Sequence, residues 1–296
     1  RLIMGSLGLL RGPLAATLVS GVLGSVLVLA RRESRRALAA LPPRYWLACG
    51  GLFVSYLVAY NLGTGLAAGG RQLLAFNVLN YLWPVTTLVF SAAFSRSRVR
   101  WWIVPGIAAA LAGTVLALWS QHAAPAGAGA APAPVRSLAV YALGLYCGIA
   151  WGLYSALGRR LAGQSAANPV PLLFLATAAA YALLIALGVG AEPVSAAGPR
   201  AAPLVAGASA AMVGTGVTPK GIAAFLWRAL VVDLLSYAFW DAAMRRGNQV
   251  LAAAASFLTP ILSSACIALV LGVSPGWRFW AAALLAVGGA AVCRIS

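Results

Sequence analysis

Nine apolar runs follow one another along this sequence, and each is close to the length of a membrane-spanning helix. They cover residues 13–30, 45–66, 72–94, 101–119, 137–158, 170–190, 220–243, 249–271 and 279–293. An α-helix needs about 20 apolar residues to cross the hydrocarbon core of a bilayer. The strand alternation of an outer-membrane barrel is absent from these runs. The sequence therefore predicts an all-α polytopic membrane protein with nine spans in this chain.

The composition leaves little polar surface for a soluble domain. Hydrophobic residues make up 62% of the 296 residues, and charged residues make up 8%. The 21 basic residues outnumber the four acidic ones, which gives a net charge of +17. A basic chain can bind nucleic acid, but no basic stripe interleaved with loop aromatic residues is present. We therefore expect no nucleic-acid partner and assign the arginines to membrane topology.

Arginines are concentrated in the connections that follow alternate spans. They are Arg31, Arg32, Arg35, Arg36, Arg44, Arg96, Arg98, Arg100, Arg159, Arg160, Arg245, Arg246 and Arg294. Cytoplasmic connections of membrane proteins are enriched in Lys and Arg, so this side, which includes the C-terminus, is predicted to be cytoplasmic. The opposite connections, residues 121–134 and 192–218, are rich in Ala, Gly and Pro and are predicted to be periplasmic.

A five-residue motif that ends in proline occurs twice, in two different spans. The first copy is Asn80-Tyr81-Leu82-Trp83-Pro84, and the second, 176 residues later, is Ser256-Phe257-Leu258-Thr259-Pro260. Two further pairs have the same spacing, Trp101 with Trp277 and Gly113 with Gly289. An internal repeat in so apolar a chain is typical of secondary transporters. A proline in mid-span frees a carbonyl that a neighbouring helix or a cavity must satisfy, so Pro84 and Pro260 are predicted hinges.

The repeat predicts how the chain is divided. Residues 1–120 would form the first repeat, residues 121–136 a periplasmic linker, and residues 137–296 the second repeat. The second repeat holds five spans and the first holds four, so we expect the partner of span 137–158 to precede Arg1. The predicted fold is a ten-helix basket of inverted five-plus-five repeats, because an odd number of spans makes the two repeats antiparallel.

Polar and aromatic side chains within the spans are the candidate substrate contacts. They are Tyr60, Asn77, Asn80, Tyr81, Trp83, Trp151, Tyr154, Tyr237, Trp240 and Ser256. Asn80 and Tyr81 follow Asn77 by three and four residues, so the three side chains share roughly one helix face. Amides in mid-membrane are unfavourable against lipid, and this face should therefore point into the bundle. Aromatic walls with a few amides suit a ligand that has a flat apolar side chain and a polar head.

The same residues have a structural interpretation that the sequence leaves open. Asn and Ser often form hydrogen bonds between membrane helices, and Trp and Tyr often lie at the membrane surface. Gly144, Gly148 and Gly152 form two overlapping G-x-x-x-G steps, which indicate close packing against another helix.

Ionisable groups are scarce within the spans and do not form an enzyme site. Asp233 and Asp241 are candidates for coupling transport to an ion. Arg228 precedes Asp233 by five residues, a separation that is unfavourable for a direct pair in an α-helix. Either the two neutralise each other loosely near the periplasmic end, or Asp233 pairs with another helix. A single histidine, His122, excludes a Ser-His-Asp arrangement within the spans, and the four cysteines lack metal-ligand spacing. We expect no enzyme activity, no metal and no cofactor.

Five short stretches carry a resemblance to a known family. They are LFVSY at 52–56, NYLWP at 80–84, WGLY at 151–154, YAFW at 237–240 and AAASFLTPILSS at 253–264. In these stretches the chain is similar to the aromatic amino acid exporters of the drug/metabolite transporter superfamily, the EamA-type ten-helix group. The resemblance implies an inner-membrane exporter of Phe, Tyr, Trp and toxic analogues. Asp241 stands where the resemblance predicts Asn, and Arg228 and Asp233 replace small or apolar residues.

The sequence and the resemblance together predict an exporter of aromatic amino acids that works by alternating access as a monomer in the bacterial inner membrane. Aromatic walls would come from Trp83, Trp151, Tyr154 and Trp240, and polar contacts from Asn77, Asn80 and Ser256. Two alternatives remain open at this level. One is an exporter of other small metabolites or drugs with the same architecture, and the other is a passive channel.

Overall fold

The computed structural model describes residues 10–67, 70–95, 103–122, 134–163, 165, 167–189, 219–259 and several positions between 262 and 289. Within these residues the chain is helical, and no strand occurs among them. Several predicted features lie outside the described residues. They are the connection 192–218, most of the connection 121–134, most of the span 279–293, and Pro260.

The helices account for the predicted spans from 13–30 to 220–243 and for the first part of span 249–271, whose remainder lies mostly outside the described residues. In chain order they are α1 (Arg11–Ala30), α2 (Arg32–Ala39), α3 (Pro43–Leu66), α4 (Gly70–Asn80), α5 (Trp83–Ser95), α6 (Ile103–His122), α7 (Pro134–Ala162), α8 (Val170–Ala186), α9 (Pro219–Trp227), α10 (Ser236–Arg246) and α11 (Gln249–Ser256). α3 contains a π-helical turn at Trp46–Gly50. A second π-helical stretch, Arg228–Leu235, joins α9 to α10 and is called the π segment below.

Length and apolar composition identify membrane-spanning helices directly. Among the described helices, three are long and apolar enough to cross a bilayer: Arg11–Ala30, Pro43–Leu66 and Leu138–Ala162. On α1, Val26 and Leu27 are 63% and 66% exposed, which suits a surface in contact with lipid and would be unfavourable in water. The prediction of a helical, multi-pass membrane protein is confirmed.

The basic connection after α1 contains a short helix that the apolar pattern does not predict. In α2 the side chain of Leu38 is buried, while Arg32 and Arg36 are exposed. Arg35 Nη1 donates to the carbonyl of Leu29 at 2.6 Å, close to the end of α1. A cation at this position stabilises the helix because the last carbonyls of a helix carry partial negative charge.

Two compact units make up the chain. The first combines Arg1–Leu66 with Leu157–Gly247, and the second combines Ala67–Ala156 with Asn248–Ser296. Each unit therefore draws on both of the predicted sequence repeats. The repeat boundaries at 1–120 and 137–296 stay a prediction, separate from this division into units.

Small residues on α1 permit close packing in the first unit. A Cβ atom on Gly24 would lie 2.6 Å from Leu234 Cδ1 and 2.9 Å from Pro171 Cβ, so a larger residue would displace a neighbour. The hydroxyl of Ser20 donates to the carbonyl of Ala229 at 2.7 Å and joins α1 to the π segment. Such a donor is important because backbone carbonyls within a bilayer need a partner inside the protein.

A triangle of hydrogen bonds joins α3 to α8 in the same unit. The hydroxyl of Tyr181 donates to the carbonyl of Leu57 at 2.8 Å and accepts a bond from Asn61 Nδ2 at 2.7 Å. Asn61 Nδ2 also donates to the carbonyl of Leu57, at 2.9 Å. Asn61 and Tyr181 are both buried, so this amide has the helix-joining role that many polar residues have in membrane bundles.

In the second unit, α7 presents its glycine ridge to α4 and α5. A Cβ atom on Gly148 would lie 2.6 Å from the carbonyl oxygen of Leu79. A Cβ atom on Gly152 would lie 2.7 Å from the backbone nitrogen of Thr87 and would overlap the hydroxyl of Thr86. The G-x-x-x-G pattern thus marks a close helix crossing, as predicted. In the same unit α4 packs against α6, and α11 packs against α5.

Candidate functional site

The predicted span 72–94 is interrupted at the first proline motif. α4 ends at Asn80, Tyr81 and Leu82 form a turn, and α5 begins at Trp83. The amide of Leu82 bonds to the carbonyl of Leu79 at 3.2 Å, three residues back instead of four. Pro84 explains the interruption, because its ring clashes with the preceding turn of a continuous helix and it has no amide hydrogen to donate.

The second proline motif shows the same interruption at the equivalent position. α11 ends at Ser256, and Phe257 and Leu258 form a turn. The amide of Leu258 bonds to the carbonyl of Ala255 at 3.0 Å, again three residues back, and the amide of Leu262 bonds to the carbonyl of Leu258 at 2.9 Å. The sequence repeat is therefore accompanied by a repeated backbone conformation in the described residues.

The interruption at Tyr81 and Leu82 lies directly against α7. The hydroxyl of Thr86 donates to the carbonyl of Gly148 at 2.6 Å and to the carbonyl of Trp83 at 3.1 Å. A Cβ atom on Gly148 would also contact Leu82 Cβ at 3.3 Å. The broken helix is thus fixed to α7 by a hydrogen bond and by backbone contact at the glycines.

The amides predicted to face the interior lie on α4, just before the interruption. Asn80 is 7% exposed, and its Oδ1 atom is buried without a hydrogen-bond partner among the described residues. Asn77, one turn earlier, is half-buried. At the equivalent position in the second motif, the hydroxyl of Ser256 donates to the carbonyl of Ala253 at 2.5 Å. Asn80 therefore offers a buried acceptor, whereas the hydroxyl hydrogen of Ser256 is used within its own helix.

The predicted aromatic contacts of the second unit lie on α7 and at the interruption between α4 and α5. Trp151 and Tyr154 follow Gly148 on α7, and their ring centroids are 5.1 Å apart at an interplanar angle of 33°. Both side chains are buried, at 7% and 2% exposed. Tyr81 and Trp83 flank the interruption and are half-buried. The described structure thus gathers most of the predicted site residues into one unit.

Three predicted contacts belong to the first unit instead. Tyr60 lies on α3 with its ring centroid 6.0 Å from that of Tyr56. Trp240 lies on α10 and is half-buried. Tyr237 makes edge contacts with Phe53 and Phe174, at centroid distances of 5.6 Å and 5.5 Å. Because both phenylalanines are fully buried, Tyr237 has a clear packing role in the core of its unit.

Arg228 and Asp233 form a direct ion pair, contrary to the expectation from their spacing. Arg228 Nε donates to Asp233 Oδ1 at 2.8 Å. The expectation was wrong because it assumed an α-helix, whereas both residues lie in the π segment. In a π-helix the backbone bonds run between residues five apart, which places side chains at that spacing on one face.

Asp241 pairs with Arg245, one of the arginines that the sequence pattern assigns to the predicted cytoplasmic connections. Arg245 is 1% exposed, and its Nε donates to Asp241 Oδ2 at 2.9 Å. Its guanidinium also donates to the carbonyls of Ser165 and Ala167 in the loop between α7 and α8. An acid four residues before an arginine is the sequence signal for such a pair in a helix. This cluster joins a loop to a helix end, and Asp241 takes part in it through Oδ2.

The described residues contain no candidate metal centre, and the groove found in the second unit lies away from the predicted site. Among the described residues, no group of three or more His, Cys, Asp or Glu side chains could hold a metal ion. An apolar groove of about 320 Å³ lies elsewhere in the second unit, between Pro105 and Ala109 of α6 and residues 284–289. None of the predicted site residues lines that groove.

Comparison with known proteins finds relatives over most of the chain. A protein of Ancylobacter novellus named aromatic amino acid exporter YddG is 30% identical over 286 residues, which is 94% of this chain and 84% of that protein. Proteins of the same name from Salmonella typhimurium and Escherichia coli are 27% and 28% identical, each over 86% of this chain and 78% of theirs. A solved crystal structure superposes with a TM-score of 0.71 and 26% identity, over 98% of this chain and 88% of that one. No family model matches the chain.

Proposed function

Because the chain belongs to the YddG family of aromatic amino acid exporters, within the drug/metabolite transporter superfamily, we propose that it exports Phe, Tyr, Trp and their analogues by alternating access. Membership in a family of transporters also means that the chain is not an enzyme. The expected substrate is a small molecule, an amino acid. Its substrate range, its binding site and its transport mechanism are proposed.

The observation that carries the proposal is the buried, unpartnered Oδ1 of Asn80 beside a broken helix. A buried acceptor without a donor costs about 1–3 kcal/mol, so its retention calls for an explanation. The ammonium group of a bound amino acid would supply the missing donor. Broken helices near mid-membrane are where secondary transporters commonly bind substrate, because the interruption presents backbone and side-chain polar groups together.

The remaining predicted residues have defined parts in this proposal. Trp83, Trp151 and Tyr154 provide aromatic surface for the substrate ring, and Asn77 extends the polar face on α4. Tyr60, Tyr81, Tyr237, Trp240 and Ser256 are the further predicted contacts. Binding of a flat apolar group with a polar head fits this combination of side chains.

Alternating access in the proposal depends on the two interrupted helices. Pro84 prevents its helix from becoming continuous, and Pro260 is the predicted hinge of the second motif, so each helix would change direction at its turn. The two turns have equivalent positions in the repeat, which is the relationship expected of an inverted-repeat transporter. The complete fold would be the ten-helix basket of five-plus-five repeats, with the C-terminus in the cytoplasm and the protein working as a monomer in the inner membrane.

The test is transport of radiolabelled phenylalanine or tryptophan into proteoliposomes that contain the purified protein. We expect saturable flux that is stimulated by unlabelled substrate on the opposite side. Trp151→Ala should reduce this flux by at least tenfold, and Trp277→Ala is the control because that side chain is 76% exposed and outside the predicted site.

Three other outcomes would contradict parts of the proposal. Flux that is unaffected by Trp151→Ala would keep the transporter class but place the site elsewhere. Flux that neither saturates nor shows exchange would identify a passive channel. No flux of aromatic amino acids above empty liposomes would indicate an exporter of other small metabolites or drugs.

A further inference from the structure

We propose that the ion pair of Arg228 and Asp233 binds the zwitterionic head of an amino acid, Arg228 taking the carboxylate and Asp233 the ammonium. This charge pair lies in the π segment of the first unit. The inference rests on the proposed export of amino acids and adds a second head-group site, in the unit that does not contain Asn80.

The charge pair is incompletely satisfied on both sides. Asp233 Oδ1 accepts from Arg228 Nε, while Asp233 Oδ2 is buried without a partner among the described residues. A guanidinium has five N–H donors, and within the described residues the Nε of Arg228 is the atom that donates to Asp233. The pair therefore keeps one anionic acceptor and several cationic donors for a ligand.

The exposure of the two side chains is unequal, and this indicates where a ligand approaches. The side chain of Arg228 is 48% exposed and that of Asp233 is 5% exposed. At ~1.5 Å per residue, Asp233 lies about 20 Å along the helix from Arg246, well inside a hydrocarbon core about 30 Å thick. Arg228 lies five residues further along, about 27 Å from Arg246 at ~1.5 Å per residue, so its exposed guanidinium is near one edge of that core and can reach a polar space.

The chemistry of the pair selects a zwitterion over singly charged ligands. A ligand with only a carboxylate would leave Asp233 Oδ2 without a donor, and a ligand with only an ammonium would leave Arg228 without an acceptor. An α-amino acid carries both groups on one carbon and brings no net charge into the membrane. It can therefore bind Arg228 and Asp233 at the same time and leave neither charge uncompensated.

The surroundings fit an amino acid with an aromatic side chain. Tyr237 follows Asp233 by four residues, and its ring makes edge contacts with Phe53 and Phe174 of the same unit. Tyr60 is half-buried and its ring packs beside that of Tyr56. An aromatic face thus lies near the head-group site. The π segment itself is fixed to α1 by the bond from Ser20 to Ala229, the residue after Arg228.

The test measures equilibrium binding of three ligands to the purified protein. L-phenylalanine carries both charges, phenethylamine lacks the carboxylate, and 3-phenylpropionate lacks the ammonium. We expect the unmodified protein to bind L-phenylalanine at least tenfold more tightly than either analogue. Arg228→Gln should weaken L-phenylalanine at least tenfold and leave phenethylamine unchanged, whereas Asp233→Asn should weaken L-phenylalanine and leave 3-phenylpropionate unchanged.

Two further variants serve as controls. Arg228→Lys keeps the charge and should restore part of the affinity for L-phenylalanine. Ser236→Ala removes a hydrogen bond of 2.9 Å to the carbonyl of Val231 in the same stretch, without touching either charged group. Its binding of all three ligands should equal that of the unmodified protein.

Several results would overturn the inference. Equal weakening of all three ligands by Arg228→Gln and Asp233→Asn would identify a structural pair. Unchanged binding in both variants would place the head group elsewhere. Variants that bind normally but lose proton-dependent flux would lead to the same conclusion. If neither Asp233→Asn nor Arg228→Lys yields folded protein, the pair belongs to folding.

Measuring the binding of L-leucine distinguishes failure of the proposed function from failure of this inference. Binding of L-leucine but not L-phenylalanine, with the same dependence on both charges, would keep the inference and reject aromatic specificity. Binding of neither amino acid would overturn the inference itself.

Discussion

The hydroxyl of Thr86 donates to the main-chain carbonyl of Gly148 at 2.6 Å, so α5 packs directly against the backbone of α7 immediately after the interruption. Such an approach is available only because α7 has glycine at 144, 148 and 152. The contact fixes one side of the interruption while the turn at Tyr81 and Leu82 stays outside the regular helix. Close packing and a break in the helix thus occur together at the candidate site.

Replacement of Gly152 by Ala should destabilise the protein, because the added Cβ atom would overlap Thr86 Oγ1 and lie 2.7 Å from the nitrogen of Thr87. Overpacking of this kind costs about 1–3 kcal/mol. The measurement is the thermal unfolding midpoint in detergent. Gly51→Ala is the matched control, since nothing lies within 4 Å of its added Cβ atom. Equal midpoints for the two variants would contradict the close crossing.

The buried pair of Asp241 and Arg245 should be more sensitive to loss of one partner than to loss of both. Asp241→Asn leaves a buried guanidinium without its counter-charge and should cost about 3–5 kcal/mol. The double variant Asp241→Leu with Arg245→Met removes both charges and should be more stable than the single one. Unfolding midpoints of the variants decide this. Arg246→Gln is the control, because that side chain is exposed and should change stability by less than about 0.5 kcal/mol.

Some of this architecture could be predicted from residue pattern alone. The positions of the spans follow from apolar runs, and the interruption near Pro84 follows from the geometry of proline. The glycine ridge on α7 was also readable as a packing surface. These features depend on residues close together in the chain, which is why the sequence was sufficient for them.

The π segment and the burial of Arg245 depend on distant residues. The carbonyl of Ala229 receives its hydrogen bond from Ser20, 209 residues earlier. The guanidinium of Arg245 bonds to the carbonyl of Ala167, 78 residues earlier. A helical pattern with a period of 3.6 residues gives no indication of either contact, so the sequence assigned the wrong geometry to Arg228 and Asp233 and the wrong environment to Arg245.

Removal of the Tyr181 hydroxyl should loosen the contact between α3 and α8. Tyr181→Phe would leave the carbonyl of Leu57 without this donor and would deprive Asn61 of one acceptor. Loss of a buried hydrogen bond costs about 1–3 kcal/mol. The unfolding midpoint should therefore fall, whereas Tyr141→Phe, on an exposed part of α7, should leave it unchanged. A Tyr181→Phe variant as stable as the unmodified protein would show that the triangle contributes little.

Replacement of Pro84 by Ala should slow transport while the fold remains intact. Alanine can donate an amide hydrogen and has no ring to clash with the preceding turn, so α4 and α5 could join into a continuous helix. We expect an unchanged or slightly raised unfolding midpoint, and exchange of labelled phenylalanine slower by about tenfold, or ~1.4 kcal/mol of activation free energy.

Pro105→Ala is the matched control for this variant, because Pro105 also lies in the first turn of a helix but is exposed. Its exchange rate should equal that of the unmodified protein. Normal exchange by Pro84→Ala would show that the interruption at Tyr81 and Leu82 does not need the proline, and the hinge would have to be sought elsewhere. Slow exchange combined with a lowered midpoint would mean that Pro84 supports the fold and would contradict its assignment as a hinge.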